Sequence, residues 1–324
     1  MPPLANRDES RRYSGVRNHH ALAPSLSVSR KSGTYFPTQP YEPTMEYLER
    51  RVTMVNDRLE EVVSAVEPSE LADQLDHVAL AGGKRVRPAV TILACEAIGG
   101  APEDAVDFAV GIELVHNASL VIDDIIDRSD IRRGTPSAWA EYGYGPAITA
   151  SDGLLGEAFA LLSSSDRAMQ IVAESMVELG EGEATEIVAI PSNEAEYMEL
   201  ARRKTGALFR AAAELGAVAA HADAHVVEAF GDYAEQVGVA FQIRDDVLDA
   251  TADAEELGKP TGQDAEMGRP SLVQVTDLTP EEANNRARNR ADAALQSLES
   301  SGVGDSESLD YLRDLAEFVV VRER

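Results

Sequence analysis

Six aspartates stand in two groups of identical spacing. The first group is Asp123, Asp124 and Asp127, after the apolar run GIELVHNASLVI; the second is Asp245, Asp246 and Asp249, after YAEQVGVAFQI. In a helix, residues i and i+4 lie on one face, so the outer aspartates of each group are neighbours. Carboxylates crowded at the negative end of a helix dipole repel one another unless a cation intervenes. Mg²⁺ suits these oxygen ligands, because it takes one or two carboxylates and bridges them to substrate phosphates.

A single acidic group could equally be solvated surface, because the chain has 57 acidic residues against 29 basic ones. Two groups with the same spacing, each after an apolar helical run, favour the metal site. Basic motifs that accompany them strengthen this interpretation.

Lysine is scarce, and its positions are therefore informative. The four lysines are Lys31, Lys84, Lys204 and Lys259. The last three lie in motifs where glycine or proline adjoins positive charge, which is typical of loops that approach a phosphate closely. These motifs are AGGKRVRPA (Lys84, Arg85, Arg87), DIRRGTP (Arg132, Arg133), ARRKTGALF (Lys204, Thr205) and ELGKPTGQD (Lys259). For Arg85, Arg202 and Arg203 we favour a surface role that balances nearby acid.

His116 precedes Asp123 by seven residues and so lies on the same helical face, two turns away. A lone helical histidine is usually a core residue, but this alignment favours a diphosphate contact. His19, His20, His77, His221 and His225 lack it.

The elements that must position these residues are helices. Apolar residues recur at spacings of three and four almost throughout residues 45–324. We predict helices at about 45–65, 68–81, 87–98, 103–127, 147–163, 166–190, 194–219, 223–250, 280–299 and 306–322. Residues 1–44 lack this periodicity and are predicted to be a disordered basic extension, unless translation begins at Met45.

Bulk composition narrows the function classes. The net charge of −28 argues against nucleic acid and anionic membranes as partners, and suggests a salt-rich cytoplasm that screens self-repulsion. The sequence contains no run of eighteen apolar residues, so we predict no membrane span. Its first residues contain no apolar run that would predict a signal peptide. The single cysteine, Cys95, is predicted to fill the core.

With these motifs in order, the chain resembles the trans-isoprenyl (polyprenyl) diphosphate synthase family, and within it the archaeal, halophile-type geranylgeranyl diphosphate synthases. The resemblance covers residues 45–324 and rests on GGKRVRP, ELVHNASLVIDDIIDRSDIRRG, KTGALF, GVAFQIRDDVLD and GKPTGQD. It implies an all-α isoprenoid synthase fold, an antiparallel helix bundle around a deep central cavity, in a homodimer.

The resemblance also implies roles for the motif residues. The six aspartates bind three Mg²⁺ around an allylic diphosphate, with Arg132, Lys204, Thr205, Gln242 and Lys259 on that diphosphate. Lys84, Arg87, His116 and Arg133 bind isopentenyl diphosphate. Ionisation of the allylic substrate leaves a carbocation that the isopentenyl double bond attacks, and the released diphosphate takes the proton.

Product length in such enzymes depends on what closes the cavity below the first aspartate group. Family members that make shorter products have bulky or aromatic side chains at these positions, whereas Ala118 and Ser119 are small. We therefore expect a product of about twenty carbons or somewhat longer. Three positions depart from the common family pattern: Glu183 in GEGEATEI, Ser151 before Asp152, and Arg269 in GRPSL.

Two alternatives remain. A class I terpene cyclase also ionises a diphosphate, but it needs no isopentenyl site and normally carries a different second metal motif. A non-catalytic subunit of a heteromeric synthase tends to lose one aspartate group, and both are intact here.

Overall fold

The computed structural model describes residues 42–251 and 270–321. These residues form helices joined by short loops and one small hairpin, which confirms the predicted all-α class. The elements are α1 (Glu42–Ser64), α2 (Ser69–Ala79), α3 (Val86–Ile98), α4 (Pro102–Asp127), β1 (Ile131–Arg132), β2 (Thr135–Pro136), α5 (Ala138–Tyr142), α6 (Tyr144–Leu162), α7 (Asp166–Val188), α8 (Glu194–Ala201), a π-helical segment (Arg202–Gly206), α9 (Ala207–Ala219), α10 (Ala224–Thr251), α11 (Leu272–Val275), α12 (Pro280–Ser300) and α13 (Glu307–Val321).

The short helices α5 and α11 were not predicted, and two further differences from the prediction concern functional residues. The single helix predicted at 194–219 is divided by the π-helical segment, which carries Lys204 and Thr205. The antiparallel hairpin β1–β2 was not predicted, because each strand has only two residues. Its turn residues, Arg133 and Gly134, both have positive φ, as a tight two-residue hairpin turn requires.

Helix α4 lies at the centre of the packing and contacts α3, α6 and α9. Its residues from Phe108 to Val115 are all buried, which explains an apolar sequence with no polar face. By length and composition α4 is also the one helix of the described residues that could cross a membrane, but 67% of its apolar window is buried inside the protein.

Helices α3 and α9 approach each other closely through small residues. A Cβ atom built on Gly216 of α9 would lie 2.1 Å from the carbonyl oxygen of Thr91 on α3. Cys95, also on α3, is buried and confirms its predicted place in the core. This close approach fixes α3 against α9, and the first turn of α3 carries Arg87.

The contact predicts a matched pair of substitutions. Gly216→Ala should lower the free energy of unfolding by about 2–3 kcal/mol, because the new methyl group forces the two helices apart. Gly180→Ala, on α7 with nothing within 4 Å of the new Cβ, should raise it by about 0.5–1 kcal/mol. Urea unfolding followed by circular dichroism measures both. Equal stability of the two variants would contradict the α3–α9 spacing.

Candidate active site

The first aspartate group lies at the end of α4, where the chain reverses. Arg128 adopts a left-handed conformation, and the hairpin that follows returns over the helix end. Arg132 on β1 then donates to Asp124, with Nε 3.0 Å and Nη2 2.5 Å from Oδ1. Asp124 is only 3% exposed, so this pair compensates a buried carboxylate.

The second group, near the end of α10, repeats this arrangement with neutral donors. Asp246 is also 3% exposed. It accepts hydrogen bonds from the Tyr197 hydroxyl, from Gln242 Nε2 at 2.9 Å and from the Leu272 backbone N–H at 3.0 Å. The middle aspartate of each group is therefore buried and held by protein donors.

The outer aspartates differ from the middle ones in exposure. Asp123, Asp127 and Asp249 are partly exposed and Asp245 is exposed. Within residues 42–251 and 270–321, no three His, Cys, Asp or Glu side chains converge closely enough to hold a metal ion by themselves. Such a donor set fits Mg²⁺ that is held by one or two carboxylates together with substrate oxygens, and does not form a protein-only cage.

The π-helical segment connects the two aspartate groups. Its Lys204 ammonium lies in the electric field of Asp123, and the next residue, Thr205, donates to Gln242 Oε1 at 2.7 Å. Gln242 in turn donates to Asp246. A π-helical turn inside an α-helix is common at functional sites. Here it places Lys204 against α7 and Thr205 against α10.

Lys204 already has protein partners. Its ammonium contacts Glu186 and lies 3.3 Å from Glu183, both on α7. Burial lowers the pKa of Lys204, but the carboxylates of Glu186, Glu183 and Asp123 outweigh burial and raise it overall. Burial, followed by the charge of Asp123, raises the pKa of Glu183 to about 7.

A cluster of cations lies on the other side of Asp124. Arg133 Nη1 donates to the carbonyl of Gly82 at 2.5 Å, so the hairpin turn packs against the GGKR loop. The guanidinium of Arg87 stacks 4.6 Å above the centre of the Phe209 ring. Among the described residues, its Nε is buried without a hydrogen-bond partner. An orphaned cationic donor of this kind indicates a place for an anion.

The electrostatics of this cluster point the same way. Burial lowers the pKa of Arg87 to about 10 and also lowers that of Arg133. Burial, with repulsion from the surrounding arginines, lowers the pKa of His116 well below its ordinary value, so the imidazole is neutral near pH 7. A bound diphosphate would offset the repulsion among these cations.

The predicted surface role of Arg85 is wrong. Arg85 is 5% exposed and its Nη1 lies 2.7 Å from Glu113, a residue of α4 that is 2% exposed. Arg85 also donates to Asn56 and to the Ala79 carbonyl, so it fixes the loop before α3. A lone glutamate in the apolar run GIELVH was the signal for this pair, because a buried charge needs a partner.

Arg202 and Arg203 do balance nearby acid, pairing with Glu178 and Glu199. Tyr197 was not predicted as a site residue, since only the tertiary structure brings it to Asp246. Lys259 and Arg269 lie outside the described residues. Lys84 is described and exposed.

Ala118 and Ser119, the two residues expected at the cavity floor, are neighbours on α4 that differ in solvent exposure. Ala118 is buried, and its carbonyl accepts a hydrogen bond from Ser151 on α6 at 3.1 Å. Ser119 is partly buried and its hydroxyl donates back to the His116 carbonyl. Their part in product length stays a prediction.

The described residues form an all-α protein with two aspartate groups beside clustered cations, and comparisons with known proteins identify its family. The polyprenyl synthetase family model matches residues 68–305. A short chain isoprenyl diphosphate synthase of Methanothermobacter thermautotrophicus is 38% identical over 76% of this chain and 78% of its own. A geranylgeranyl diphosphate synthase of Methanosarcina mazei is 35% identical over 84% of this chain and 87% of its own.

A solved structure is similar as well. The geranylgeranyl pyrophosphate synthetase of Geoglobus acetivorans superposes with a TM-score of 0.77 at 32% identity, covering 86% of this chain and 99% of that one. The chain belongs to the polyprenyl synthetase family. It is a prenyltransferase that elongates prenyl chains.

The neutral His116 predicts a pH dependence of stability. In the unfolded chain histidine titrates near about pH 6.5, whereas the folded pKa is depressed, so protons bind the unfolded chain preferentially. The stability that His116 contributes is present above that pH and is lost as the pH falls toward the folded pKa, by up to about 1.4 kcal/mol per unit.

Urea unfolding at pH 7 and pH 5 tests this dependence. Between pH 7 and pH 5, the free energy of unfolding of the wild type should fall by about 1–2 kcal/mol more than that of His116→Gln. His225→Gln, a change at an exposed histidine on α10, should behave as the wild type. Equal losses in all three proteins would contradict a neutral, half-buried His116.

Proposed function

We propose that this prenyltransferase condenses isopentenyl diphosphate with an allylic diphosphate, and that its all-trans product has about twenty carbons or somewhat more. The observation that carries the proposal is the hydrogen-bond chain from Thr205 through Gln242 to Asp246, with the adjacent Lys204 near enough to Asp123 for that charge to raise its pKa. A cation cluster adjoins this connection across Asp124 and supplies a second anion site.

We assign isopentenyl diphosphate to Lys84, Arg87, His116 and Arg133. The unsatisfied Nε of Arg87 and the close packing of Arg133 on the GGKR loop support this assignment. Neutral His116 would donate a hydrogen bond without adding another repelling charge.

We assign the allylic diphosphate to Arg132, Lys204, Thr205, Gln242 and Lys259. Arg132 pairs with Asp124, and the charge of Asp123 raises the pKa of Lys204, so both cations lie near the first aspartate group. Lys259 is proposed from its motif alone, because it lies outside the described residues.

We propose Mg²⁺, three ions with the allylic diphosphate, as the cofactor. Of the six predicted ligands, the outer aspartates are the better exposed and are proposed for direct contact. Asp124 and Asp246 are committed to protein donors and support the shape of each group. Bound with the diphosphate, the metal would neutralise the leaving group's charge.

The side chains have their own parts in catalysis. Arg132 and Lys204 stabilise negative charge as it develops on the departing diphosphate, so the allylic carbocation forms more readily. Arg87 and Arg133 hold the second substrate with its double bond toward that cation. Since the released diphosphate accepts the proton, no side-chain general base is needed. An apolar cavity would keep water from the cation.

Chain elongation is favoured over the two alternatives. A terpene cyclase has no use for the cation cluster of Arg87 and Arg133 beside Asp124. A non-catalytic subunit tends to lose one aspartate group, whereas this chain has both.

We further propose a homodimer in a salt-rich cytoplasm. Ile122 and Ile126 on α4, and Tyr144 and Ile148 on α6, are exposed apolar side chains on two helices that pack together. Such a surface is typical of an interface between subunits. The net charge of −28 supports the high-salt setting, because dissolved ions screen it.

An elongation assay tests the proposed function. In molar salt with Mg²⁺, labelled isopentenyl diphosphate should be incorporated with at least one allylic primer, and chelation of the metal should stop it. Asp123→Asn should lower the rate at least about a hundredfold, while Asp57→Asn, at an exposed residue of α1, should not. Absence of elongation with any primer would refute the proposal.

Product length has its own test. Ala118→Phe should shorten the main product by at least one five-carbon unit, because the larger ring fills space below Asp123. Ala118 is buried, so the variant should also lose about 1–3 kcal/mol of stability. Ser119→Phe, at a partly buried position, offers a second probe, and Ala160→Phe on the exposed face of α6 is the control. Unchanged products from both probes would place the floor elsewhere.

A further inference from the structure

Helix α7 contacts the active site through its last two turns. Gly182, Glu183 and Glu186 all face the π-helical segment. A Cβ atom built on Gly182 would lie 3.0 Å from the backbone nitrogen of Lys204 and 3.1 Å from Cβ of Arg203. The two backbones are therefore in direct contact here, and the position of α7 determines what lies beside Lys204.

The two glutamates that follow Gly182 both reach the Lys204 ammonium. Glu186 makes the closer contact, and Glu183 Oε1 lies 3.3 Å away. The three side chains are 21%, 20% and 16% exposed for Lys204, Glu183 and Glu186. An ion pair shielded to this degree holds its geometry better than one on open surface.

The neighbouring arginines are directed elsewhere. Arg202 pairs with Glu178 and Glu199, and Arg203 pairs with Glu181. Lys204 is thus the cation of the π-helical segment that turns toward Asp123, and α7 supplies carboxyl groups that fix it there. A free lysine stem has several rotamers, and losing that freedom on substrate binding would cost affinity.

We propose that Glu186, assisted by Glu183, is a positioning residue that holds the Lys204 ammonium in place for the allylic diphosphate. The pair orients the charge before substrate arrives, so binding does not have to order the lysine side chain. This inference rests on the proposed function only in the identity of the anion that Lys204 meets. The positioning itself is a property of the substrate-free protein.

The scarcity of lysine makes a direct test practical. Four lysines in the whole chain can be followed separately by mass spectrometry after brief acetylation with an N-hydroxysuccinimide ester. In substrate-free protein, Glu186→Gln should raise acetylation of Lys204 relative to Lys84 about three- to tenfold, because the ammonium loses its ionic partner and deprotonates more easily. Glu183→Gln should give a smaller rise.

Matched controls separate positioning from general loosening. Glu181→Gln, on the same helix but paired with Arg203, should leave the ratio of Lys204 to Lys84 unchanged. Glu186→Asp keeps the charge and should restore most of the protection. Because Lys84 is already exposed in the folded protein, unfolding would also raise this ratio, so circular dichroism must first show that each variant is folded. A ratio unchanged in both Glu186→Gln and Glu183→Gln would overturn the proposal.

Kinetics then test the link to the substrate. Glu186→Gln should raise KM for the allylic diphosphate about tenfold and leave KM for isopentenyl diphosphate within about twofold. Glu186→Asp should fall between this variant and the wild type. Equal increases in both KM values would overturn a specific role at the allylic site. If acetylation changes as expected but no primer is elongated, the positioning stands and the proposed function fails.

Discussion

The site depends on the compensation of buried carboxylates. Asp124 and Asp246 are almost fully buried, and a charge in that environment is tolerated only when donors surround it. One is held by the guanidinium of Arg132 and the other by a tyrosine, an amide and a backbone N–H. These bonds join β1 to α4, and α8 and α11 to α10. Each aspartate group is thereby fixed to a second element of the fold.

The same principle explains the opposite charges. Arg85 is buried and paired with Glu113, so it serves the fold and not a ligand. Arg87 follows two residues later, but its Nε lacks a partner among the described residues, and burial lowers its pKa to about 10. The Phe209 ring and the charge of Glu113 compensate the guanidinium in part, and the Nε that is left without a partner is the donor that we propose for an anionic substrate. Two arginines in one short motif therefore have different roles.

Close backbone contacts determine where these charges meet. Gly182 allows α7 to touch the π-helical segment. Gly238 on α10 does the same from the other helix, since a Cβ atom built on Gly238 would lie 3.0 Å from the Cα atom of Gly206. The segment is held between two helices, with Lys204 facing α7 and Thr205 facing α10. Side chains larger than hydrogen at these glycines would separate the elements that form the site.

Much of this protein was determined by its sequence alone. Helical periodicity predicted the all-α class and most helix spans, because burial of an apolar face imposes that period. Aspartate spacing and the retained lysines indicated the residues that we propose for the chemistry. The tertiary structure decided their partners: Arg85 joined Glu113, Tyr197 reached Asp246, and the π-helical turn directed Lys204 to Glu186. These pairings join residues far apart in the chain, and local patterns of residue type contain no information on which distant groups share a desolvated space.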